Sequence, residues 1–209
     1  MTPRDVLSFG PVLPVVVIDD PADAVPLARA LLAGGIRAME VTLRTACAAE
    51  AIAAIARQVD GMTVGAGTMC SGADIALAER CGARFAVSPG LTTALGQAAS
   101  RSGLALIPGM ATASELMAGR EAGFDTFKFF PAEAAGGIAL LESLAGPFPD
   151  VRFCPTGGIG ADNAAKYLAL GNVPCVGGTW VSPRALVRAR DWAGITLLAR
   201  QAFALASAG

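Results

Sequence analysis

The chain of 209 residues contains two lysines and no histidine. One lysine, Lys128, lies in Phe124-Asp125-Thr126-Phe127-Lys128-Phe129-Phe130-Pro131-Ala132-Glu133, among four phenylalanines. An amine attacks a carbonyl only when unprotonated, and apolar surroundings disfavour the ammonium form. Lys128 is therefore a candidate nucleophile. The plainer alternative is a lysine that lays its stem on aromatic surface and keeps its head in water. Without histidine the usual general base and the commonest transition-metal ligand are missing. Proton transfer must then fall to carboxylates, lysine, cysteine, Tyr167 or bound water.

Whether Lys128 can react depends on what surrounds it, and hence on the order of elements. Short β-prone runs alternate with alanine-rich helical stretches along the chain. Strands are expected near Leu13–Ile18, Arg37–Leu43, Met62–Ala66, Arg84–Val87, Leu104–Ile107, Asp125–Phe129, Val151–Cys154 and Val173–Val176. Helices are expected near Ala22–Ala33, Cys47–Gln58, Ala73–Arg80, Thr92–Ser100, Ser114–Glu121, Ile138–Leu144, Asp162–Leu170 and Arg184–Ala206. Asp20-Pro21 and Ser182-Pro183 read as N-caps followed by proline, and Thr112-x-x-Glu115 reads as a capping box. Eight strand–helix units predict one domain over 1–209, a compact (β/α)8 TIM barrel. An open doubly wound sheet would want a glycine-rich turn after the first strand, but Ile18 runs into Asp19-Asp20-Pro21.

Barrel strands alternate between the interior and the helices. In the second strand Met39, Val41 and Leu43 suit the helix side, so Glu40 and Thr42 point inward with Arg44 at the end. In the sixth, Phe127 and Phe129 take the helix side; Thr126 and Lys128 point inward, and Phe130 lies at the mouth. A carboxylate and an amine are thus aimed into one enclosed space, where a charge must be paired or neutralised. Arg44 has the fork geometry to hold a carboxylate or phosphate, or to pair with Glu40. Lys166, on an amphipathic stretch, reads as a solvated helix residue. Gly157-Gly158 and Gly177-Gly178 follow the last two strands, where backbone N–H groups of this fold commonly receive phosphate. Pro89-Gly90-Leu91-Thr92-Thr93 is echoed by Pro108-Gly109-Met110-Ala111-Thr112, again after strands.

Composition removes several classes of function. A net charge of -1 with no basic cluster leaves no footprint for nucleic acid. Glycines, prolines or charges interrupt every apolar run, so neither a signal peptide nor a membrane span is expected. Cys47, Cys70, Cys81, Cys154 and Cys175 form no C-x-x-C pair and suit reduced thiols in the cytoplasm.

These residues occur in runs that resemble the 2-keto-3-deoxy-6-phosphogluconate (KDPG) and 4-hydroxy-2-oxoglutarate (KHG) aldolases. The runs are Gly34-Gly35-Ile36, Glu40-Val41-Thr42-Leu43-Arg44-Thr45, Gly65-Ala66-Gly67-Thr68, Ser88-Pro89-Gly90 and Pro108-Gly109. Lys128-Phe129-Phe130-Pro131-Ala132-Glu133, Phe153-Cys154-Pro155-Thr156-Gly157-Gly158-Ile159 and Gly177-Gly178-Thr179-Trp180 complete the set. The resemblance implies a homotrimer of barrels and a metal-independent Schiff base at Lys128, with Glu40 moving protons. It implies that Arg44 and Thr68 hold the substrate carboxylate, with Pro89 and Phe130 also lining the site. Thr156 matches a position tied to stereochemistry at the aldehyde end, and Gly157, Gly158, Gly178 and Thr179 would receive the phosphate. Thr179 stands where the family commonly has serine, and Ala111 where a small hydroxyl residue is common. The implied reaction is reversible cleavage of KDPG to pyruvate and glyceraldehyde 3-phosphate. Rival readings are the galactonate epimer or KHG as main substrate, a metal-dependent aldolase or isomerase, and a phosphate-binding barrel without turnover.

Overall fold

A computed structural model describes residues 1–207. Its strands are β1 (Val12–Val16), β2 (Ala38–Thr42), β3 (Thr63–Gly67), β4 (Phe85–Val87), β5 (Ala105–Ile107), β6 (Gly109–Met110), β7 (Thr126–Phe129), β8 (Arg152–Pro155) and β9 (Val176–Gly178). The helices are α1 (Pro3–Leu7), α2 (Ala24–Ala33), α3 (Ala48–Gln58), α4 (Gly72–Arg80), α5 (Thr93–Arg101), α6 (Ala113–Glu121), α7 (Gly137–Ala145), α8 (Ala164–Leu168), α9 (Arg184–Arg188) and α10 (Trp192–Phe203). All strand pairs are parallel, and the helices between strands return the chain to the sheet's starting edge.

The curled sheet carries the expected alternation, but its ladder is not one uninterrupted ring. Six strands run in the order β5-β4-β3-β2-β1-β9 and three in the order β6-β7-β8. The two ladders meet through Pro108, which joins β5 to β6, and through a single bridge between Thr156 and Gly177. Proline brings no N–H, though its carbonyl still accepts from Lys128 N at 2.9 Å. The expected fifth strand, Leu104–Ile107, is found as β5, and a further short strand, β6, continues past Pro108.

Side chains divide as period two demands. Met39, Val41, Phe127, Phe129 and Phe153 belong to the large apolar layer between sheet and helices. Leu13, Ala38, Phe85, Val87, Ala105, Ile107, Cys154 and Cys175 form a second cluster inside the curl, together with Val6 and Leu7 of α1. The short helix α1, absent from the expected helices although Thr2-Pro3-Arg4-Asp5 caps its start, plugs the end where the strands begin. Its Arg4 binds Asp125 at 2.9 Å, at the foot of β7. The interior tapers by pairing large with small residues: a Cβ on Gly65 would collide with the Phe85 ring.

Three further expectations need correction. The last helix breaks into α9 and α10 at Arg190, whose φ of 53° is left-handed and whose guanidinium binds Asp23 at 2.9 Å and Asp20 at 3.2 Å. The last strand lies at Val176–Gly178 rather than Val173–Val176, so Gly177 and Gly178 belong to it and do not follow it. Ser182 does not cap α9; its hydroxyl is buried without a partner. By contrast Asp20 accepts from Ala22 N, and the Thr112–Glu115 capping box is formed.

Packing outweighs helix propensity at Gly119. Alanine is better than glycine inside a helix by about 1 kcal/mol. At Gly119 of α6, however, a Cβ would come within 2.8 Å of the Phe127 Cζ and closer still to its Cε1. Overpacking a closed core costs roughly 1–3 kcal/mol. Gly119→Ala is expected to lower stability in urea denaturation, whereas Gly146→Ala, with nothing within 4 Å of its added methyl, is expected to hold or raise it.

Candidate active site

Lys128 and Glu40 meet inside the curl, Lys128 toward the end of β7 and Glu40 midway along β2. Each sits on the inward face of its strand, opposite in direction to Phe127, Phe129, Met39 and Val41. Their exposures are 5% and 1%, and Nζ of Lys128 lies 3.6 Å from Oε1 of Glu40. That separation is an ion-pair contact without a direct hydrogen bond, and Oε1 of Glu40 is otherwise unpartnered. The carboxylate occupies the room that a side chain at position 67 would need: a Cβ on Gly67 would fall on it. Gly67 pairs with Thr42 in the neighbouring ladder, so a β3 glycine is what lets the β2 glutamate lie flat in the interior.

Phe130 turns toward Lys128, its ring centroid 5.2 Å from Nζ. A ring face attracts a cation, so this contact would suit a cationic imine formed at the same nitrogen. The other phenylalanines of the motif are wall: Phe127 and Phe129 are fully buried against helices, and Phe124 packs edge-on to Phe127.

Arg44 is not the partner of Glu40. Its Nε donates to Oγ1 of Thr68 at 3.1 Å, and its side chain is exposed at the mouth. Thr68 holds φ at 65°, a left-handed conformation that costs a non-glycine residue roughly 1 kcal/mol. That backbone turn sits where β3 ends, beside the arginine, and together they offer a guanidinium and a hydroxyl to an anion.

The opposite side of the mouth is built from β8 and β9. Thr156 follows β8, buried, with its hydroxyl donating to Cys154 O at 3.3 Å and lying over Gly177, where a Cβ would clash. Gly157 and Gly158 hold φ at 102° and 78°, which only glycine adopts freely. Asn163 fastens the turn, its Nδ2 donating to Gly158 O at 3.0 Å and its Oδ1 accepting from Gly160 N at 2.9 Å. Gly178 is buried, Thr179 exposed, and Trp180 folds back over Gly178 so that no side chain fits there. Pro89 is exposed at the mouth, its backbone so close to Gly109 that a Cβ on the latter would overlap it.

The structure thus brings Glu40, Lys128 and Phe130 into contact and joins Arg44 to Thr68. Lys166 is exposed on α8. Cys154 and Cys175 lie in the interior below, where a hydrogen bond between them and burial push the Cys175 thiol up, so it stays protonated. Among the described residues no cluster of histidine, cysteine, aspartate and glutamate could hold a metal ion. Two contacts escaped the sequence reading: the glycine bed of Glu40 at Gly67, and the bond from Tyr167 to Glu133. Tyr167 stands out in the sequence only as the sole tyrosine.

A family model described as KDPG and KHG aldolase matches residues 4–198. A 2-dehydro-3-deoxy-phosphogluconate aldolase of Pseudoalteromonas atlantica is 53% identical over 96% of this chain and 94% of its own. A KHG/KDPG aldolase of Escherichia coli is 52% identical over 95% and 93%. The crystal structure of the KDPG aldolase of Legionella pneumophila, with pyruvate captured at low pH as a covalent carbinolamine, superposes with a TM-score of 0.96 at 46% identity, covering 97% and 98% of the chains. That of Zymomonas mobilis with 3-phosphoglycerate gives 0.93 at 49% identity, over 97% and 95%.

The buried pair makes a prediction about stability. Removing one partner strands a charge, typically at a cost of about 3–5 kcal/mol, whereas replacing both by apolar groups is often neutral. Lys128→Met should therefore lose about that much in urea denaturation, and adding Glu40→Leu to it should recover most of the loss. Additive losses would show that the two side chains do not act as a pair.

Proposed function

The chain belongs to the KDPG and KHG aldolase family, and from that premise we propose that it cleaves KDPG reversibly to pyruvate and glyceraldehyde 3-phosphate through a Schiff base on Lys128. The observation that carries this reading is the enclosed Lys128–Glu40 pair at 3.6 Å, set between a guanidinium on one side of the mouth and a glycine turn on the other.

The unprotonated amine of Lys128 attacks the C2 ketone of the substrate, giving a carbinolamine. With the pair's shared proton on Glu40, that carboxyl passes it to the ketone oxygen and takes one from nitrogen, then protonates the carbinolamine hydroxyl, which leaves as water and gives a cationic imine beside an ionised Glu40. The imine draws the electrons of the C3–C4 bond into an enamine while Glu40 takes the C4 hydroxyl proton, and glyceraldehyde 3-phosphate departs. Protonation at C3 and addition of water then free pyruvate and the amine. One carboxylate suffices for every transfer because all of them occur within reach of the same nitrogen. Phe130 supports the cationic imine through its ring face. Arg44 and Thr68 hold the carboxylate next to the ketone, and their rigid bond fixes its direction. The phosphate end rests on N–H groups of Gly157, Gly158, Gly178 and Thr179, with Thr156 and Pro89 lining the path between. No metal takes part in this scheme.

The E. coli relative carries both substrate names, which favours KHG as a second substrate: the same bonds form and break, and glyoxylate leaves in place of the phosphorylated aldehyde. We further propose that the protein is a cytoplasmic homotrimer. Its five cysteines are all free, as a reducing compartment keeps them, and among the described residues no helix is long and apolar enough to cross a membrane. Recovery in the cytosolic fraction and a solution mass three times that of the 21.0 kDa chain are the expected results; a monomer would refute the assembly.

Borohydride reduction with pyruvate in EDTA, followed by peptide mapping, should leave a reduced pyruvyl adduct on Lys128 and none on Lys166. An unmodified Lys128, or full activity in Lys128→Ala, would sink the mechanism, and dependence on metal would sink its metal-free form. Glu40→Gln should fold and still lose about 10²–10⁴-fold in turnover, the usual worth of general acid–base catalysis.

A further inference from the structure

Glu133 and Tyr167 take no part in the steps above, yet they connect the two halves of the site. The segment after Lys128 runs beside the glycine turn: Ala132 N donates to Thr156 O at 2.8 Å and Glu133 N to Gly157 O at 3.1 Å. The aliphatic stem of Glu133 is the bed of Gly158, since a Cβ there would come within 2.5 Å of Glu133 Cγ and 2.7 Å of its Cβ. The carboxylate is drawn to another neighbour. Tyr167, fully buried on α8, donates its hydroxyl to Oε1 of Glu133. Gly137, with φ at 57°, leaves room for this bond: its added Cβ would stand 3.1 Å from the tyrosine oxygen and 3.7 Å from Oε1. Burial, then the bond to Glu133 and its charge, raise the phenol above its ordinary range, so it remains a donor at neutral pH.

An exposed carboxylate next to a phosphate cradle repels the phosphate unless something holds it aside. We propose that Tyr167 holds the Glu133 carboxylate away from the Gly157–Gly158 cradle while the Glu133 stem supports it, making both positioning residues that set the preference for phosphorylated over unphosphorylated 2-oxo acids. The inference rests on the proposed aldolase function and deepens its phosphate end.

The test compares KDPG with unphosphorylated KHG in steady-state kinetics of the intact protein. Tyr167→Phe should raise KM for KDPG about tenfold, the equivalent of roughly 1.4 kcal/mol. Its kcat, and both constants for KHG, should stay within about twofold of the parent, as expected for a loss of binding alone. Adding Glu133→Gln to Tyr167→Phe should bring KM for KDPG back toward the parent, because the stem remains and the charge is gone. Should Tyr167→Phe fail to fold, Glu133→Ala on the exposed turn carries the test: it removes the stem and should raise KM for KDPG alone, whereas Glu133→Gln should not. Equal losses on both substrates, an unchanged KM for KDPG, or no rescue by Glu133→Gln would overturn the inference. A parent protein that forms no borohydride adduct with pyruvate would instead overturn the aldolase reading on which it rests.

Discussion

The contact between Lys128 and Glu40 constrains more of this structure than any other. Moving each ion out of water costs several kcal/mol even after relaxation. Two unit charges about 4 Å apart recover roughly 4 kcal/mol at an effective dielectric constant near 20, so their attraction does not offset both penalties. The pair is therefore not there to stabilise the fold. It is held by neighbours that leave it nowhere else to go: Gly67 opens the space, Cys154 and Cys175 close the floor, and α1 seals the far end. The apolar shell behind Phe127, Phe129, Met39 and Val41 supplies the stability that the interior does not.

Much of this was legible in the sequence because period-two alternation has a single consistent solution in β2 and β7. Phenylalanines on alternate positions leave Lys128 on the other face, and Met39 with Val41 do the same for Glu40. What was not legible depends on contacts between distant segments. The helix α1 is five residues long and carries a local start signal in Thr2-Pro3 and Asp5, but the burial of Val6 and Leu7 in the open end depends on distant strands. The break at Arg190 has a local mark in Asp191, which caps α10 through Gly194 N, while the ion pairs of Arg190 reach Asp20 and Asp23 far earlier in the chain. Ser182-Pro183 has the composition of a cap but its hydroxyl turns inward, and the last strand moves to Gly177-Gly178 because Leu13 and Pro14 set its register.

The two sides of the mouth proposed to receive the substrate's anionic ends use different physics. Arg44 brings a full charge and a planar fork, steadied by Thr68 in a strained backbone conformation. Such a group suits a carboxylate that must be held at one angle while the adjacent ketone reacts. The glycine turn brings no formal charge, only N–H groups that left-handed φ values can aim together. A phosphate held this way is gripped at a distance from the reacting bond, where binding strength matters more than angle.

Under the proposed function these two sides must nevertheless keep a fixed separation, since one substrate would have to touch both while its ketone meets Lys128. The atoms that crowd the glycine turn belong to Phe130, Pro131, Ala132 and Glu133, so the spacing is set from the β7 side. The N–H groups of Ala132 and Glu133 bond the carbonyls of Thr156 and Gly157, which ties the strand of Lys128 to the glycine turn. Phe130 faces the amine, and three residues later Glu133 supports Gly158. The conjunction of an aromatic ring, a proline and an acid directly after the lysine is thus a ruler between Lys128 and the glycine turn. A shift at Glu133 would be felt at the phosphate end before it reached Lys128, because the strand that carries the lysine is fixed on both sides by its ladders to β6 and β8.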